Sequence, residues 1–384
     1  MRPALLFWCQ HSVGLGHLAR AHALCAALRE RFRVVLVCGG PLPAGMPAPL
    51  GVEVVALPAL GVGESGRFVS HDPRLSFPAA RAARRERLLA VYEELRPQVV
   101  LVELWPFGRA KFARELLPLL ERARRDGVPA CCSLRDILVS RRDDQVEHDE
   151  RACALANAHL DAVLVHSDPR FARLEDTFAP QARLRVPVRY TGYVVAGRAT
   201  AGAPRGDAVV VSAGGGRVGA LLLRAALGAQ RILWPRKGRP MRLIAGPFLP
   251  AADRASLATA VARVPGAALL PSVPSLADEL ERAALSVSQC GYNTALEVLQ
   301  ARVPALVVPY ATAEEDEQRR RAGRLAALGA LRVLAPQRLG PAALAGAIEA
   351  LEAFTPASAA LDLGGARAAT ELLWTLRRVT ERVA

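Results

Sequence analysis

Residues that could do chemistry first appear in a glycine turn near the start of the chain, Ser12-Val-Gly-Leu-Gly-His17-Leu-Ala-Arg20. Glycine lets a ligand approach the backbone, and a helix that begins at such a turn favours anionic groups at its N-terminus. His17 is a candidate general base, because an unperturbed imidazole titrates at about pH 6.5; alternatively, it caps the helix. The dinucleotide fingerprint is absent, since the second glycine is followed directly by His17 and the next apolar run ends in Cys38-Gly39-Gly40. A Rossmann oxidoreductase is therefore disfavoured.

Two further glycine turns lie in the second half of the chain. Each follows an apolar run: Gly214-Gly215-Gly216-Arg217, and Ser288-Gln-Cys-Gly291-Tyr-Asn293-Thr294-Ala-Leu-Glu297. Backbone N–H groups in such turns can hold a diphosphate, and Glu297 could accept hydrogen bonds from two ribose hydroxyls. The spacing Thr294-x-x-Glu297 also matches a helix capping box, which needs no ligand. Arg217 is either a positive group beside the diphosphate or a solvated helix residue.

Several acidic and amide side chains complete the candidate set. Glu317 and Gln318 follow an acidic run, which either complements a helix dipole or presents polar groups to the hydroxyls of a sugar. Glu103 and Asp136 each stand at the C-terminal end of a predicted strand. They are alternatives to His17 as the base, and as ordinary residues they would be caps or salt-bridge partners.

The elements that must position these residues alternate between short apolar runs and helical patterns, which is typical of βαβ units and a parallel sheet. In the first half, strands are predicted at Ala4–Cys9, Arg33–Cys38, Val52–Leu57, Gln98–Glu103, Val128–Ser133 and Ala162–His166. Helices are predicted near Leu18–Arg31, Ala79–Leu95, Lys111–Arg125 and Gln145–Ala158. The connection Pro58–Pro78 is long and rich in glycine and polar residues, so we expect a lid or binding loop there.

The pattern breaks over residues 191–207, where Gly, Ala, Pro and Arg indicate an interdomain linker. Strands are predicted after it at Ala208–Ala213, Met241–Ala245, Ala267–Leu270, Leu285–Ser288, Ala305–Pro309 and Leu331–Leu334. The predicted class is α/β, with an N-terminal Rossmann-like domain over 1–190 and a second over 208–365. A final helix over 366–384 is expected to pack back on the first. Ligands would bind in a central cleft between the two, at the C-terminal ends of the strands.

Composition excludes several classes of protein. The 384 residues carry a formal net charge of +14, but lysine occurs only as Lys111 and Lys237, which indicates an arginine-biased composition. Arg81, Arg84, Arg85 and Arg87 predict a basic helix face, either solvated or resting peripherally on an anionic membrane. Tryptophans are scattered, so specific nucleic-acid binding is not expected. Seven cysteines without a C-x-x-C pair, and no apolar run of about 20 residues, predict a cytoplasmic protein without zinc.

Together, these motifs resemble the GT-B glycosyltransferases. The chain is similar to a predicted bacterial family of family 28-like enzymes of the peptidoglycan N-acetylglucosaminyltransferase type, which act in cell-envelope or polysaccharide biosynthesis. Further segments carry the same resemblance: Glu103-Leu-Trp-Pro-Phe-Gly-Arg109, Ser133-Leu-Arg-Asp-Ile-Leu138, Val165-His-Ser-Asp-Pro-Arg170 and Tyr190-Thr-Gly-Tyr193. It differs from that type in its N-terminal loop, where Val13 and Leu15 replace glycine.

The resemblance implies a role for each candidate residue. His17 would lie at the acceptor side, with Gly14, Gly16 and Arg20 in its loop. The donor diphosphate would face Gly214, Gly215 and Gly216. The ribose would bind to Glu297, and the donor sugar would bind to Glu317 and Gln318. The neighbouring donor-site positions would be Ser288, Gly291, Asn293 and Thr294.

The expected reaction is the transfer of a sugar, inverting and metal-independent, from a UDP-linked donor to an unidentified acceptor hydroxyl, without a cofactor. Negative charge grows on the departing diphosphate, and fixed N–H donors would stabilise it. A nucleotide-sugar hydrolase or epimerase on the same fold is the alternative, since the turn from Gly14 to Arg20 also resembles that of hydrolases. A non-catalytic basic protein that binds an anionic polymer is a third hypothesis; its binding would depend steeply on salt.

Overall fold

The computed structural model describes residues 2–11, 15–43, 46–63, 67–140, 142–196, 204–312 and 315–383. Its contacts divide the chain into two compact units. The first consists of residues 1–13, 17–196 and 361–384, and the second of residues 14–16 and 197–360. Each unit has its own parallel sheet and its own apolar core. The expected α/β class with two Rossmann-like units is therefore confirmed.

The first unit contains a seven-stranded sheet in the order β3-β2-β1-β6-β7-β8-β9. Its strands are β1 (Ala4–Cys9), β2 (Arg33–Cys38), β3 (Glu53–Ala56), β6 (Val99–Glu103), β7 (Ala130–Arg135), β8 (Ala162–His166) and β9 (Val188–Tyr190), with a separate pair β4 (Leu60–Val62) and β5 (Phe68–Ser70). Its helices are α1 (Gly16–Leu28), α2 (Phe77–Leu95), α3 (Ala113–Arg125), α4 (Gln145–His159) and, from the end of the chain, α11 (Gly365–Val383). Continuous apolar runs form these strands because helices cover both faces of a parallel sheet.

The strand order reverses between β1 and β6, which lie side by side in parallel with Trp8 opposite Val102. On the other side, β1 pairs with β2. At such a reversal, the connections after two central parallel strands leave the carboxyl edge in opposite directions, which is where ligands bind in open α/β sheets. This topology brings the start of α1 beside the end of β6.

The long connection after β3, for which we expect a lid or binding loop, contains secondary structure that the sequence pattern did not predict. It contains the antiparallel pair β4 and β5, with Gly61 opposite Val69. It also contains the start of α2, which begins at Phe77 behind the N-cap Ser76. Strands of three residues are too short to show a period of two, so the sequence pattern could not reveal them.

The second unit contains a six-stranded parallel sheet in the order β12-β11-β10-β13-β14-β15. Its strands are β10 (Val209–Ser212), β11 (Met241–Ile244), β12 (Ala267–Leu270), β13 (Leu285–Ser288), β14 (Ala305–Val307) and β15 (Arg332–Val333). Its helices are α5 (Ala220–Lys237), α6 (Ala251–Val261), α7 (Leu276–Arg282), α8 (Tyr292–Ala301), α9 (Glu317–Ala327) and α10 (Pro341–Leu351). The order reverses between β10 and β13, where Ser212 lies opposite Ser288, so two glycine turns emerge at the same carboxyl edge.

Helix α11 packs in the first unit although it ends the sequence. The Asp362 N–H donates to Asp168 Oδ2 at 3.1 Å, and the Asp362 carbonyl accepts from Tyr193 N–H at 2.6 Å. The Trp374 ring meets Phe32 edge-on, with the ring centroids 5.7 Å apart. Polar contacts before the helix and an aromatic contact within it thus fix its place.

The predicted basic face of α2 is wrong at one position, because Arg84 is fully buried. Its Nη2 lies 2.6 Å from Glu115 Oε1, and its guanidinium also donates to the Gly39 carbonyl at 2.7 Å and to Gln10 Oε1 at 2.8 Å. A Cβ on Gly39 would lie 2.1 Å from Gln10 Oε1, so a larger residue there would displace the side chains of this cluster. Arg84 therefore holds together the ends of β1 and β2, while Arg85 is exposed as expected.

The state of the cysteines and the length of the apolar helices bear on two further expectations. All seven cysteines are buried free thiols. Across the described residues, no helix is both long and apolar enough to cross a bilayer.

Candidate active site

The first unit brings His17 and Glu103 together. His17 is the second residue of α1 and Glu103 the last residue of β6, so the neighbouring positions of β1 and β6 determine their meeting. His17 Nδ1 lies 2.6 Å from Glu103 Oε1. The side chain of Glu103 is fully buried, whereas that of His17 is 19% exposed. The His17 side chain is therefore still partly accessible to solvent.

Charge around this pair determines its protonation. Arg20 donates to the same Glu103 oxygen that contacts His17. Burial alone would raise the pKa of Glu103, but His17, Arg20 and Arg109 outweigh it and hold that pKa below its ordinary value. Burial lowers the pKa of His17, and Arg109 and Arg20 add to this effect while Glu103 opposes it. The pair is thus a carboxylate beside a neutral imidazole, with the proton on Nδ1 and the lone pair on Nε2.

The remaining predicted residues from the first half of the chain have different surroundings. Gly16 begins α1 and is exposed, whereas Arg20 is 2% exposed and bound to Glu103. Asp136 is buried directly after β7 and accepts a hydrogen bond from the Ile137 N–H at 2.9 Å. No hydrogen bond joins Asp136 to His17 in the described part of the chain. Gly14 lies outside the described residues.

The glycine loop after β10 does not open the following helix directly, in contrast to the prediction. Helix α5 begins at Ala220 behind the N-cap Gly219, and Arg217 lies in the intervening turn, partly buried. Gly216 has a φ of 92°, and a Cβ there would lie 2.4 Å from the Ala245 carbonyl oxygen. This glycine thus serves the packing of the loop after β10 against the loop after β11.

Only part of this loop is open to a ligand. Gly214 is exposed, Gly215 is partly exposed and Gly216 is buried. The Gly214 N–H donates to Ser212 Oγ at 3.3 Å, and the Gly216 N–H to the Ala213 carbonyl at 3.1 Å. Among the described residues, the N–H of Gly215 has no such acceptor, so it is the donor that a ligand could use.

The loop after β13 leads into α8, with Gly291 as the N-cap and Tyr292 as the first helical residue. Asn293 and Thr294 follow in the first turn, and no side chain caps this helix. The capping-box explanation is therefore wrong, since Thr294 is already the third residue of the helix. Ser288 is 1% exposed, and its Oγ has no hydrogen-bond partner within the described ranges.

Glu297 lies in the second turn of α8 and is partly buried. Burial raises the pKa of its carboxyl group to about 7, because no opposite charge compensates the loss of hydration. No other described residue forms a hydrogen bond or an ion pair with this carboxylate. A carboxylate that the fold leaves both desolvated and unpaired is typical of a binding residue.

Helix α9 fixes the neighbouring loops through two side chains. Gln318 Oε1 accepts the N–H groups of Cys290 and Tyr310, each at 3.0 Å. Arg321 Nη1 donates to the Cys290 carbonyl at 2.9 Å. Arg321 was not predicted from the sequence. The one signal for it is the Gln-x-x-Arg spacing, which places Gln318 and Arg321 on the same face of the helix. Glu317 begins this helix and is partly buried, so Gln318 has a structural task whether or not a sugar binds.

The chemistry of this second unit now has a counterpart among known proteins. Residues 256–366 match the glycosyltransferase family 28 C-terminal domain. The expected resemblance to family 28 is confirmed for this stretch, which includes β13, α8 and α9. Within the described residues, no three His, Cys, Asp or Glu side chains are grouped so that they could hold a metal ion.

Two curated relatives each match 112 residues of this chain. Both are UDP-N-acetylglucosamine–N-acetylmuramyl-(pentapeptide) pyrophosphoryl-undecaprenol N-acetylglucosamine transferases. The one from Rhizobium johnstonii is 33% identical over 112 residues, which is 28% of this chain and 30% of the relative. The one from Rhizobium leguminosarum bv. trifolii is 32% identical over 112 residues, with the same coverage. The chain thus spans less than a third of these relatives.

Solved structures show the fold over nearly the whole chain. The glycotransferase of kitacinnamycin has a TM-score of 0.60 at 19% identity, and the match covers 100% of this chain and 98% of that chain. CalG4, the calicheamicin glycosyltransferase, has a TM-score of 0.59 at 19% identity, with 100% and 98% covered. MurG from Acinetobacter baumannii has a TM-score of 0.56 at 16% identity, with 97% and 100% covered. The predicted GT-B fold is confirmed.

Proposed function

We propose that this protein is a glycosyltransferase that moves a sugar from a UDP-linked donor to a hydroxyl of an acceptor, with inversion and without a metal. The observation that carries the proposal is the contact of 2.6 Å between His17 Nδ1 and Glu103 Oε1, which prepares a base in a fold shared with glycosyltransferases. The family 28 match of residues 256–366 supports the nucleotide-sugar donor.

In the proposed reaction, His17 is the general base. Glu103 accepts the Nδ1 proton and thereby leaves the Nε2 lone pair for the proton of the acceptor hydroxyl. The hydroxyl oxygen forms its bond to the anomeric carbon while the bond to the diphosphate oxygen breaks, and UDP departs. The imidazolium that forms is stabilised by the buried carboxylate of Glu103. Glu103 thus orients the base rather than serving as an alternative to it.

The second unit supplies the donor contacts in this proposal. The Gly215 N–H would donate to the diphosphate, and the Glu297 carboxylate would accept hydrogen bonds from the ribose. Asn293 and Thr294 lie in the first turn of α8, where the positive end of the helix dipole favours an anion. Gln318 and Arg321 support these groups by holding the loop before α8.

The test combines UDP binding with turnover of UDP-sugars. We expect calorimetric titration of UDP to give saturable one-to-one binding, and a mixture of hydroxyl acceptors to speed UDP release from one UDP-sugar. His17→Ala removes the base, which contributes about 10²–10⁴-fold to such reactions, so acceptor-dependent release should fall by that factor while the UDP affinity stays unchanged. His71→Ala, an exposed histidine of the same unit, is the matched control.

Two results would contradict the proposal. Full-rate release of UDP without any acceptor would make the protein a nucleotide-sugar hydrolase instead. Normal acceptor-dependent turnover in His17→Ala would remove His17 as the base.

A further inference from the structure

Arg109 has a positive charge that forms no salt bridge with any described residue. It lies in the loop after β6 and is the N-cap of a short 3₁₀ helix, Ala110–Phe112. Its Nε is buried without a hydrogen-bond acceptor, and its guanidinium has no ion-pair partner in the described part of the chain. Burial lowers the pKa of Arg109, because the charged form loses its hydration there. Arg109 as a whole is partly exposed, so an anion in solution has access to a charge that burial disfavours.

This charge belongs to the surroundings of the proposed base. Arg109 lies close enough to His17 and Glu103 to lower the pKa of both. Glu103 attracts this charge, but it forms no salt bridge with Arg109, and its Oε1 already contacts His17 and Arg20. Arg135, at the end of β7, adds a further positive charge that lowers the pKa of Arg109. The charge around the neutral imidazole is therefore positive overall.

The backbone of the loop holds Arg109 in an unusual conformation. Arg109 has a φ of 60° and Leu104 a φ of 66°, both in the left-handed region that non-glycine residues rarely adopt. Gly108 precedes Arg109, and a Cβ there would lie 2.8 Å from the Leu104 side chain, which would then have to move. Such strained positions persist where the surrounding structure enforces them, and they cluster at ligand sites.

We propose that Arg109 binds an anionic group, a carboxylate or a phosphate, on the acceptor whose hydroxyl His17 deprotonates. This inference rests on the proposed function and adds to it the chemical class of the acceptor. The planar guanidinium matches both groups, since it can donate two parallel N–H···O bonds to either. Such an ion pair holds the acceptor beside the imidazole, and it restores the counter-ion that the fold withholds from Arg109.

The test uses two simple anions as probes, inorganic phosphate and acetate, at an ionic strength kept constant with sodium chloride. The readout is the NMR signal of the His17 ring, assigned by its loss in His17→Gln. We expect a saturable shift with one or both anions, and the tighter of the two identifies the anionic group. In Arg109→Met the anion should bind about ten-fold more weakly or worse, because a charge-assisted hydrogen bond is lost. Arg85→Met, at an exposed arginine of the same unit, should leave the affinity unchanged.

Folding and donor binding are measured separately on the same variants. Arg109→Met should fold at least as stably as the parent protein, because methionine fills the site without an unpaired charge. It should also bind UDP normally by calorimetry. The inference is overturned if neither anion shifts the His17 signal saturably, or if the shift is equally strong in Arg109→Met. Loss of UDP binding and turnover in the parent protein, with the anion shift intact, would instead refute the proposed glycosyltransferase.

Discussion

Glu297→Gln should separate stability from function in the second unit. The carboxyl group has a pKa of about 7 in the folded protein, against an ordinary value of 4.5. Folding therefore takes up a proton between these two pH values, and the free energy of unfolding falls as the pH rises through that window. Above about pH 7, the folded protein contains an ionised carboxylate that the burial disfavours. The amide variant has no such charge.

The pKa difference sets the size of the effect. It corresponds to about 3 kcal/mol at about pH 8, and the partial exposure of the side chain makes this an upper limit. We expect Glu297→Gln to be more stable than the parent protein at about pH 8 and nearly equally stable at about pH 4. The UDP affinity of the parent protein should rise as Glu297 ionises through about pH 7, whereas the variant should bind UDP weakly at every pH.

The assays are urea unfolding at both pH values and calorimetric titration of UDP. Glu349→Gln is the matched control, because this glutamate pairs with Arg236 on the surface of the same unit and should leave both properties nearly unchanged. If Glu297→Gln were destabilised at about pH 8 while it bound UDP normally, the carboxylate would be a structural residue, and the reasoning from its burial would be refuted.

Two further predictions concern residues that shape the site. Arg84→Met should lower the free energy of unfolding by about 3–5 kcal/mol, because it leaves the Glu115 carboxylate buried without its partner; urea unfolding against Arg85→Met measures this, and equal stability of the two variants would exclude it. Gly216→Ala should lower both the melting temperature and the UDP affinity, since its Cβ would lie 2.4 Å from the Ala245 carbonyl oxygen. A normal melting temperature and affinity in Gly216→Ala would show that the loop has room.

Most of the sheet strands could be predicted from the sequence because each is a continuous apolar run. The observed bounds of β1, β2, β8, β12 and β13 are the predicted ones. The pair β4 and β5 was missed, as was β9, since each is a three-residue stretch that Gly, Ser or Arg keeps from being a continuous apolar run. Short strands derive their stability from pairing with neighbours, and a local pattern does not contain that information.

Residue types and spacing along the chain were enough to predict several features of this protein. These are its division into two α/β halves with glycine turns, the parallel sheet of each half, and the candidate site residues His17 and Glu297. Tertiary structure decided what these residues contact. It joined Glu103 to His17 across the reversal between β1 and β6, buried Arg84 in a salt bridge and left Arg109 without one. The physical reason is that pKa and pairing depend on burial and on charges distant in sequence, whereas periodicity reflects only local backbone geometry.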